Sequence, residues 1–175
     1  LFRSILHEAQ DQRTPLLDRV RFLAIFGANL DRFFMKRIGG LKQQAGAGVH
    51  ERTIDGRTPQ QQIEECGDAV RTLEKEVRTV YRTLIPELRK NNVVIARYRR
   101  LPQADRAALR EHYRQNVFPF VTPLAMDPAH PFPFLSNLSL NLLVTLSHPN
   151  SDEEILARVK APVGAGTPRF MQVGE

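Results

Sequence analysis

The feature that most constrains the fold is a run of apolar residues at alternating steps of three and four. This run comprises Ile63, Cys66, Val70, Leu73, Val77, Val80 and Leu84. The spacing places all of them on one face of an α-helix as a heptad seam. Just before the seam, Thr58 is a hydroxyl N-cap, Pro59 suits the first helical position and Gln61 completes a capping box. The pattern predicts a long helix from Thr58, with Pro86 kinking or ending its last turns.

Residues 15–41 form a second long helical pattern. Its apolar positions are Leu16, Val20, Leu23, Leu30, Phe34, Ile38 and Leu41, with Gly27 filling the one gap. Thr14 is the predicted N-cap, and residues 27–31 form a short polar interruption. Residues 22–26 are apolar all round, so we expect them to be buried against more than one neighbour.

The two long helices have matching apolar faces, and each would be about 40 Å long at 1.5 Å per residue. We expect them to pack antiparallel within the chain. The alternative is that the heptad seam packs on another subunit.

Shorter elements complete the pattern. Helices are predicted at residues 3–10 and 103–117, and strands at residues 138–146, 154–160 and 169–173. Loops are predicted at residues 46–57, 148–152 and 162–167. The predicted fold class is therefore α+β: a helical antiparallel bundle at residues 1–100, then the first part of an α+β domain at residues 101–175.

Composition narrows the setting of the chain. The single cysteine, Cys66, lies on an apolar stripe and cannot form an intrachain disulfide, so a reducing, cytoplasmic compartment fits best. No stretch approaches the roughly 18 uninterrupted apolar residues of a membrane span. Because the chain begins at Leu1 and its end follows directly on a strand-like run, we interpret it as a fragment of a longer protein.

The net charge of +6 is unevenly distributed. Residues 1–100 hold 19 Lys and Arg against 12 Asp and Glu, whereas residues 101–175 hold 6 against 7. The excess suits an anionic partner such as a nucleotide, a nucleic acid or, through peripheral association, an acidic membrane surface. The alternative is a merely solvated basic face, because the positive residues are interspersed with Glu.

Sequence patterns of a complete active site are missing. The histidines (His7, His50, His112, His130 and His148) are scattered without metal-ligand spacing. The glycine-rich residues 46–48 and 164–166 lack the Lys-Ser/Thr of a phosphate-binding loop. We therefore predict neither catalytic residues nor a metal site in this chain.

Asn29 is the remaining candidate for a binding residue. Its amide carries both donors and acceptors, which suit the edge of a purine base. The alternative is a local helix kink or an N-cap. Arg32, Lys36 and Arg37 follow and could steer phosphates, or they could be exposed cations that are favourable near a helix C-terminus.

Several segments closely resemble one family, the polyphosphate kinases. In the helical half these are residues 5–9 (ILHEA), 15–25 (PLLDRVRFLAI) and 29–37 (NLDRFFMKR). The later ones are residues 119–124 (PFVTPL), 130–142 (HPFPFLSNLSLNL) and 168–170 (PRF). The resemblance is collinear over nearly the whole chain and corresponds to the N-terminal domain and the start of the head domain.

That resemblance implies an activity for the parent protein. The family transfers the terminal phosphate of ATP reversibly to polyphosphate, through a phosphohistidine and with Mg²⁺. Two C-terminal catalytic domains would be missing here, so the fragment alone is expected to be inactive, with no cofactor covalently bound. Asn29 matches the family asparagine that contacts ATP on the nucleobase side. Because the head domain contributes to dimer contacts, we expect residues 118–137 at a homo-oligomer interface.

Two departures from the family motif accompany this match. Arg32 stands where the family has glutamate, and Gly27-Ala28 replace serines. For each of these two changes there are two alternatives: it alters nucleotide binding, or it changes only the protein surface. Two rival functions remain: a helical interaction module that assembles through the heptad seam, and a nucleic-acid binder. We rank the second last because no reader motif is present, and we predict no nucleic-acid partner.

Overall fold

The computed structural model describes residues 1–126, 132–147, 154–164 and 167–174. The chain divides into two units, Leu1–Ile95 and Ala96–Glu175, each of which is described by itself. In the described part, no helix is both long and apolar enough to cross a bilayer.

The first unit is helical. Helix α1 spans Phe2–Gln10, α2 spans Leu16–Phe33, α3 spans Gly39–Gly46 and α4 spans Pro59–Lys90. A π-helical turn, Phe34–Ile38, joins α2 to α3 without a break. The polar residues 27–31 are regular α-helix, so the alternative of a helix kink or an N-cap at Asn29 is wrong; the irregularity lies one turn later.

The two predicted helix starts had different outcomes. At α4 the capping box is confirmed: the Gln61 N–H donates to Thr58 Oγ1 at 3.3 Å, and the Thr58 N–H donates to Gln61 Oε1 at 3.0 Å. At α2 the N-cap is Pro15 rather than Thr14, and no side chain caps the helix there. Pro15 also supplies the carbonyl that accepts from the Arg19 N–H at 3.0 Å, so proline sits one position earlier than predicted.

The heptad seam is confirmed as the packing face of α4. Val70, Leu73, Val80 and Leu84 are buried, and the other three members are half-buried. Pro86 does not end the helix, which continues to Lys90 with Leu88 still buried. The seam contributes to a core that it shares with α1 and α2, consisting of Leu6, Ala9, Phe26, Leu73, Val80 and Leu84.

Two polar contacts show that α2 and α4 run antiparallel, as predicted. Arg19 in the first turn of α2 contacts Glu87 near the end of α4, and Arg37 contacts Gln62 in the first turn of α4. The seam is therefore used inside the unit, which removes the basis for the rival function of assembly through that face. The expected burial of residues 22–26 on all sides is wrong, since Ile25 is 39% exposed.

Arg19 joins three helices of the bundle although its side chain is charged. The residue is only 6% exposed. Its Nε donates to the Ala9 carbonyl at 3.2 Å, and its Nη1 donates to Glu87 Oε2 at 2.7 Å. Because a buried guanidinium without partners would be very costly, these bonds tie the end of α1 and the end of α4 to the start of α2.

The second unit is mixed. A 3₁₀ turn at Tyr98–Arg100 precedes helix α5, Gln103–Asn116, and another 3₁₀ turn spans Phe118–Phe120. Three strands follow: β1 at Pro123–Met126, β2 at Asn141–Ser147 and β3 at Glu154–Lys160. They form an antiparallel sheet in the order β1-β3-β2, with Ala125 opposite Ala157 and Ala157 opposite Val144. This confirms the α+β class.

Strand prediction in this unit was only partly correct. The predicted strands at residues 138–146 and 154–160 correspond to β2 and β3, but β1 was missed inside a proline-rich stretch. The predicted strand at residues 169–173 is wrong, because those residues are bends and irregular chain with Phe170 exposed. The predicted loop at residues 148–152 lies outside the described residues, as does part of the loop at residues 162–167.

Candidate functional site

Asn29 lies inside α2, one turn before the π-helical turn. It is half-buried, and its amide makes no hydrogen bond to any other residue that the structure describes. Since regular helix continues on both sides of it, Asn29 is neither an N-cap nor the site of a break. Its donors and acceptors are therefore free for a ligand or for water.

Aromatic rings flank the turn that carries Asn29. Phe26 lies one turn before it and Phe33 one turn after it, on the same helix face. The Phe2 ring of α1 contacts both rings edge to face, with centroids 5.4 Å from Phe26 and 5.9 Å from Phe33. Phe34 extends the cluster, with its centroid 6.1 Å from that of Phe33. The amide thus emerges beside an apolar, aromatic wall.

The π-helical turn that follows places two cations next to a small cavity. Such turns occur often at functional sites. The turn carries Lys36 and Arg37, both exposed. They line a cavity of about 180 Å³ together with Gly40, Leu41, Gln44, Thr53 and Gln62. None of these lining residues is acidic, so the described wall of the cavity is positively charged.

Arg37 is held in place by a buried amide. Its Nη2 donates to Gln62 Oε1 at 3.2 Å, and Gln62 Nε2 donates to Thr53 Oγ1 at 3.3 Å. Gln62 is only 8% exposed. Sequence reasoning found Arg37 but missed Gln62 and Thr53. The sequence signal for Gln62 is a polar residue next to the heptad seam in the first turn of α4. No sequence pattern indicated Thr53.

The loop that carries Thr53 is fixed by its own charges. The Thr53 hydroxyl donates to Asp55, and Arg57 lies 3.1 Å from Asp55 and 2.6 Å from Glu65. The Thr53 hydrogen bond, followed by that from Arg57, lowers the pKa of Asp55. Glu65 first, then Asp55, raises the pKa of Arg57. These contacts connect the loop to α4 and so position Thr53 beside Gln62.

The remaining candidates are not brought into one site. Arg32 is exposed in the last turn of α2, and because the helix continues through the π-helical turn into α3, it does not lie at a free helix C-terminus. His7, His50 and His112 lie in different elements, while His130 and His148 are outside the described residues. Among the residues that the structure describes, no group of three or more His, Cys, Asp or Glu could hold a metal ion.

Comparisons with known proteins give one result. The polyphosphate kinase N-terminal domain model matches residues 2–96, and the polyphosphate kinase middle domain model matches residues 104–175. A polyphosphate kinase of Synechocystis sp. is 48% identical over 172 residues, covering 98% of this chain and 23% of the relative. One from Mycobacterium tuberculosis is 43% identical over 159 residues, covering 90% and 21%.

The fold agrees with a solved structure as well. The crystal structure of polyphosphate kinase from Porphyromonas gingivalis matches with a TM-score of 0.72 at 22% identity, over 99% of this chain and 25% of that one. The chain thus spans less than a quarter of the length of the curated relatives described above. Because the two family models together extend over nearly all of its residues, the chain belongs to the polyphosphate kinase family.

Proposed function

We propose that this chain forms the nucleobase side of the ATP site in a polyphosphate kinase, a phosphotransferase that moves the terminal phosphate of ATP reversibly onto polyphosphate. The observation that carries the proposal is the free, half-buried amide of Asn29 beside the Phe2, Phe26 and Phe33 rings. The relatives described above are polyphosphate kinases, which supports this activity for the whole protein.

An amide in this position can distinguish one purine from another. The side chain of Asn can donate to adenine N7 and accept from the adenine N6 amino group at the same time. A guanine presents oxygen where adenine presents that amino group, so the accepting half of the amide would lose its partner. Phe2 and Phe33, which are half-buried, offer an apolar surface for the base, while Phe26 lies behind them in the core.

The cations of the π-helical turn lie further along the same helix. Lys36 is seven residues beyond Asn29, which is about 10 Å along a helix axis and two turns away. A positive side chain at that distance suits the phosphate end of a nucleotide whose base is at Asn29. Arg37, held by Gln62, adds a second charge with a fixed direction.

In this proposal the chain positions ATP and performs no bond-making step. When bound, Mg²⁺ supplies charge neutralisation at the phosphates, and the phosphohistidine belongs to the catalytic domains of the family, outside this chain. Binding energy at a group remote from the reacting phosphate contributes through orientation. The cytoplasmic location and peripheral membrane contact predicted from the sequence stay predictions.

The test is Asn29→Ala in the full-length enzyme. We expect the KM for ATP to rise roughly tenfold, equivalent to one lost hydrogen bond, and the preference for ATP over GTP to narrow by a similar factor. The KM for polyphosphate in the reverse reaction should not change, because polyphosphate has no base. Gln43→Ala, which removes an exposed amide from α3, is the matched control. Unchanged ATP and GTP constants in the Asn29 variant would refute the proposal.

A second candidate function is self-assembly through the second unit. Phe118, Phe120, Phe132 and Phe134 are all more than half exposed, and Phe134 is 90% exposed. Large exposed apolar surfaces mark association sites. We propose that a second copy of the protein covers them. Phe120→Ser with Phe134→Ser should halve the sedimenting mass of the full-length enzyme at micromolar concentration, and an unchanged mass would contradict this.

A further inference from the structure

A row of arginines on α5 has no described counter-charge. Arg106, Arg110 and Arg114 follow one another at steps of four, so they share one helix face and extend over about 12 Å of its length. All three are exposed. No salt bridge within the described part of the chain includes any of them.

The acidic residues of α5 do not neutralise this row. Asp105 projects from a different side of the helix, about 100° from Arg106. Glu111 is three residues before Arg114, but it accepts a hydrogen bond from Gln115 Nε2 at 2.6 Å and makes no salt bridge with Arg114 in the described structure. Like charges at a spacing of four destabilise an isolated helix. The row is therefore unfavourable for the free helix, and it becomes favourable when an anion lies along it.

The preceding 3₁₀ turn adds charge and one wall of a cavity. The Tyr98 hydroxyl lies 3.4 Å from the Arg106 carbonyl. A cavity of about 290 Å³ is lined by Tyr98, Gln103, Arg106, Ala107 and Arg110. Arg99 and Arg100 of the same turn are exposed too. Residues 97–114 hold six arginines against two acidic residues, the densest positive segment of the second unit.

We propose that the Arg106–Arg110–Arg114 row, with the Tyr98 cavity at its end, binds the polyphosphate chain. This rests on the proposed function, which makes polyphosphate a substrate of the whole protein. A linear chain with a negative charge on every phosphate complements a row with one guanidinium per helical turn. Guanidinium groups also bind phosphate oxygens in pairs, with two parallel hydrogen bonds.

Polyphosphate fits this surface better than a single-stranded nucleic acid. Proteins that bind single strands combine a basic groove with aromatic rings on which successive bases stack. In the described part of this surface, Tyr98 is the one ring that lines the cavity. Tyr113 also lies near the row, but its ring packs against Phe118 with centroids 6.1 Å apart. The row itself supplies charge at regular intervals, and a polyanion that lacks bases requires nothing more.

The experiment measures binding of linear inorganic polyphosphate to the 175-residue chain and to a variant with Arg106→Gln, Arg110→Gln and Arg114→Gln. We expect affinity to fall about 30-fold, because each exposed charge pair is worth about threefold. The matched control replaces three exposed cations of α4, as Lys75→Gln, Arg82→Gln and Arg89→Gln; it should lose less than about threefold. Circular dichroism verifies that both variants keep their helices.

Further measurements distinguish binding by charge from recognition of bases. They also separate failure of this proposal from failure of the proposed function. A triple Arg→Lys variant keeps the charge but loses the paired hydrogen bonds of the guanidinium groups, so its affinity should lie between those of the parent chain and the Gln variant. Equal affinity in the Gln variant, or tighter binding of single-stranded RNA than of polyphosphate at matched charge, overturns the proposal. In the full-length enzyme the Gln variant should raise the KM for polyphosphate and leave the KM for ATP unchanged, opposite to Asn29→Ala, so the two proposals fail separately.

Discussion

The two units of this chain differ in how they bury apolar side chains. In Leu1–Ile95, side chains of α1, α2 and α4 close over a continuous core, and the largest of them, such as Phe26 and Leu84, are almost fully enclosed. In the sheet of the other unit, Ala157 is buried, whereas Leu142 and Leu143 are both more than half exposed although they point to opposite faces. The helical unit supplies its own core, while the described sheet leaves both of its faces uncovered.

This contrast predicts very different responses to the same substitution. Leu84→Ala should lower the free energy of unfolding of the helical unit by about 2–5 kcal/mol, because it leaves a cavity in a closed core. Leu143 is 60% exposed in the sheet, so Leu143→Ala should change the free energy of unfolding of the second unit by less than about 0.5 kcal/mol. Urea unfolding followed by circular dichroism measures both. A loss at Leu143 as large as the loss at Leu84 would contradict the uncovered sheet.

The next largest effect concerns the buried charge of the helical unit. Arg19→Ala should cost about 3 kcal/mol, because it removes both hydrogen bonds and leaves the Ala9 carbonyl without its side-chain donor. Arg21→Ala, on the exposed face of the same helix, is the control and should cost less than about 0.5 kcal/mol. A small effect at Arg19 would mean that water replaces the guanidinium in its hydrogen bonds, which would contradict a core closed to water.

A smaller effect is expected at the start of α4. Thr58→Ala removes the side-chain half of the capping box and should cost about 1 kcal/mol in thermal unfolding. Thr79→Ala, whose hydroxyl donates to the Lys75 carbonyl in the middle of α4, is the matched control and should be nearly neutral. If both variants melt alike, the capping box contributes nothing beyond the helix propensity of its residues.

The smallest effect is the pH dependence of the turn between α1 and α2. Hydrogen bonds from Arg13 lower the pKa of Asp11 from 3.8 to about 2. The folded state therefore binds this proton less readily than the unfolded state, so the stabilisation is complete above about pH 4 and is lost as the pH falls towards 2. Asp11→Asn should flatten this part of the stability profile. Following the Asp11 carboxyl by NMR gives its pKa directly, and a value near 3.8 would contradict the turn geometry.

The helices were predictable because each depends on a local period. The steps of three and four in α4 gave both its extent and its buried face, and the Thr58 capping box gave its start. The antiparallel partner followed from two apolar faces of similar length. The same reasoning misplaced the start of α2. Thr14-Pro15 resembles an N-cap followed by the first helical residue, but Pro15 is itself the N-cap and the helix begins at Leu16.

What failed in the prediction depended on tertiary contacts. Strand β1 exists because β3 supplies hydrogen bonds to a proline-containing segment, and residues 169–173 have no partner strand in the described part of the chain. Ile25 is exposed because the neighbours of α2 cover one side of it. At the candidate site, Asn29 was found by motif, whereas Gln62 and Thr53 depend on a contact between α4 and a distant loop.

The π-helical turn of residues 34–38 acts as a phase correction within one continuous rod. Phe26 and Ile38, both buried, are 12 residues apart, which in a regular α-helix places them about 120° apart around the axis. One extra residue in the turn takes up about 100° of that angle and leaves the two side chains within about 20° of alignment. Deleting a single residue between Phe34 and Ile38 would thus leave a regular α-helix in which Phe26 and Ile38 stay within about 20° of alignment, whereas inserting one more residue there would rotate everything beyond it by about 100° and turn Ile38 away from the core.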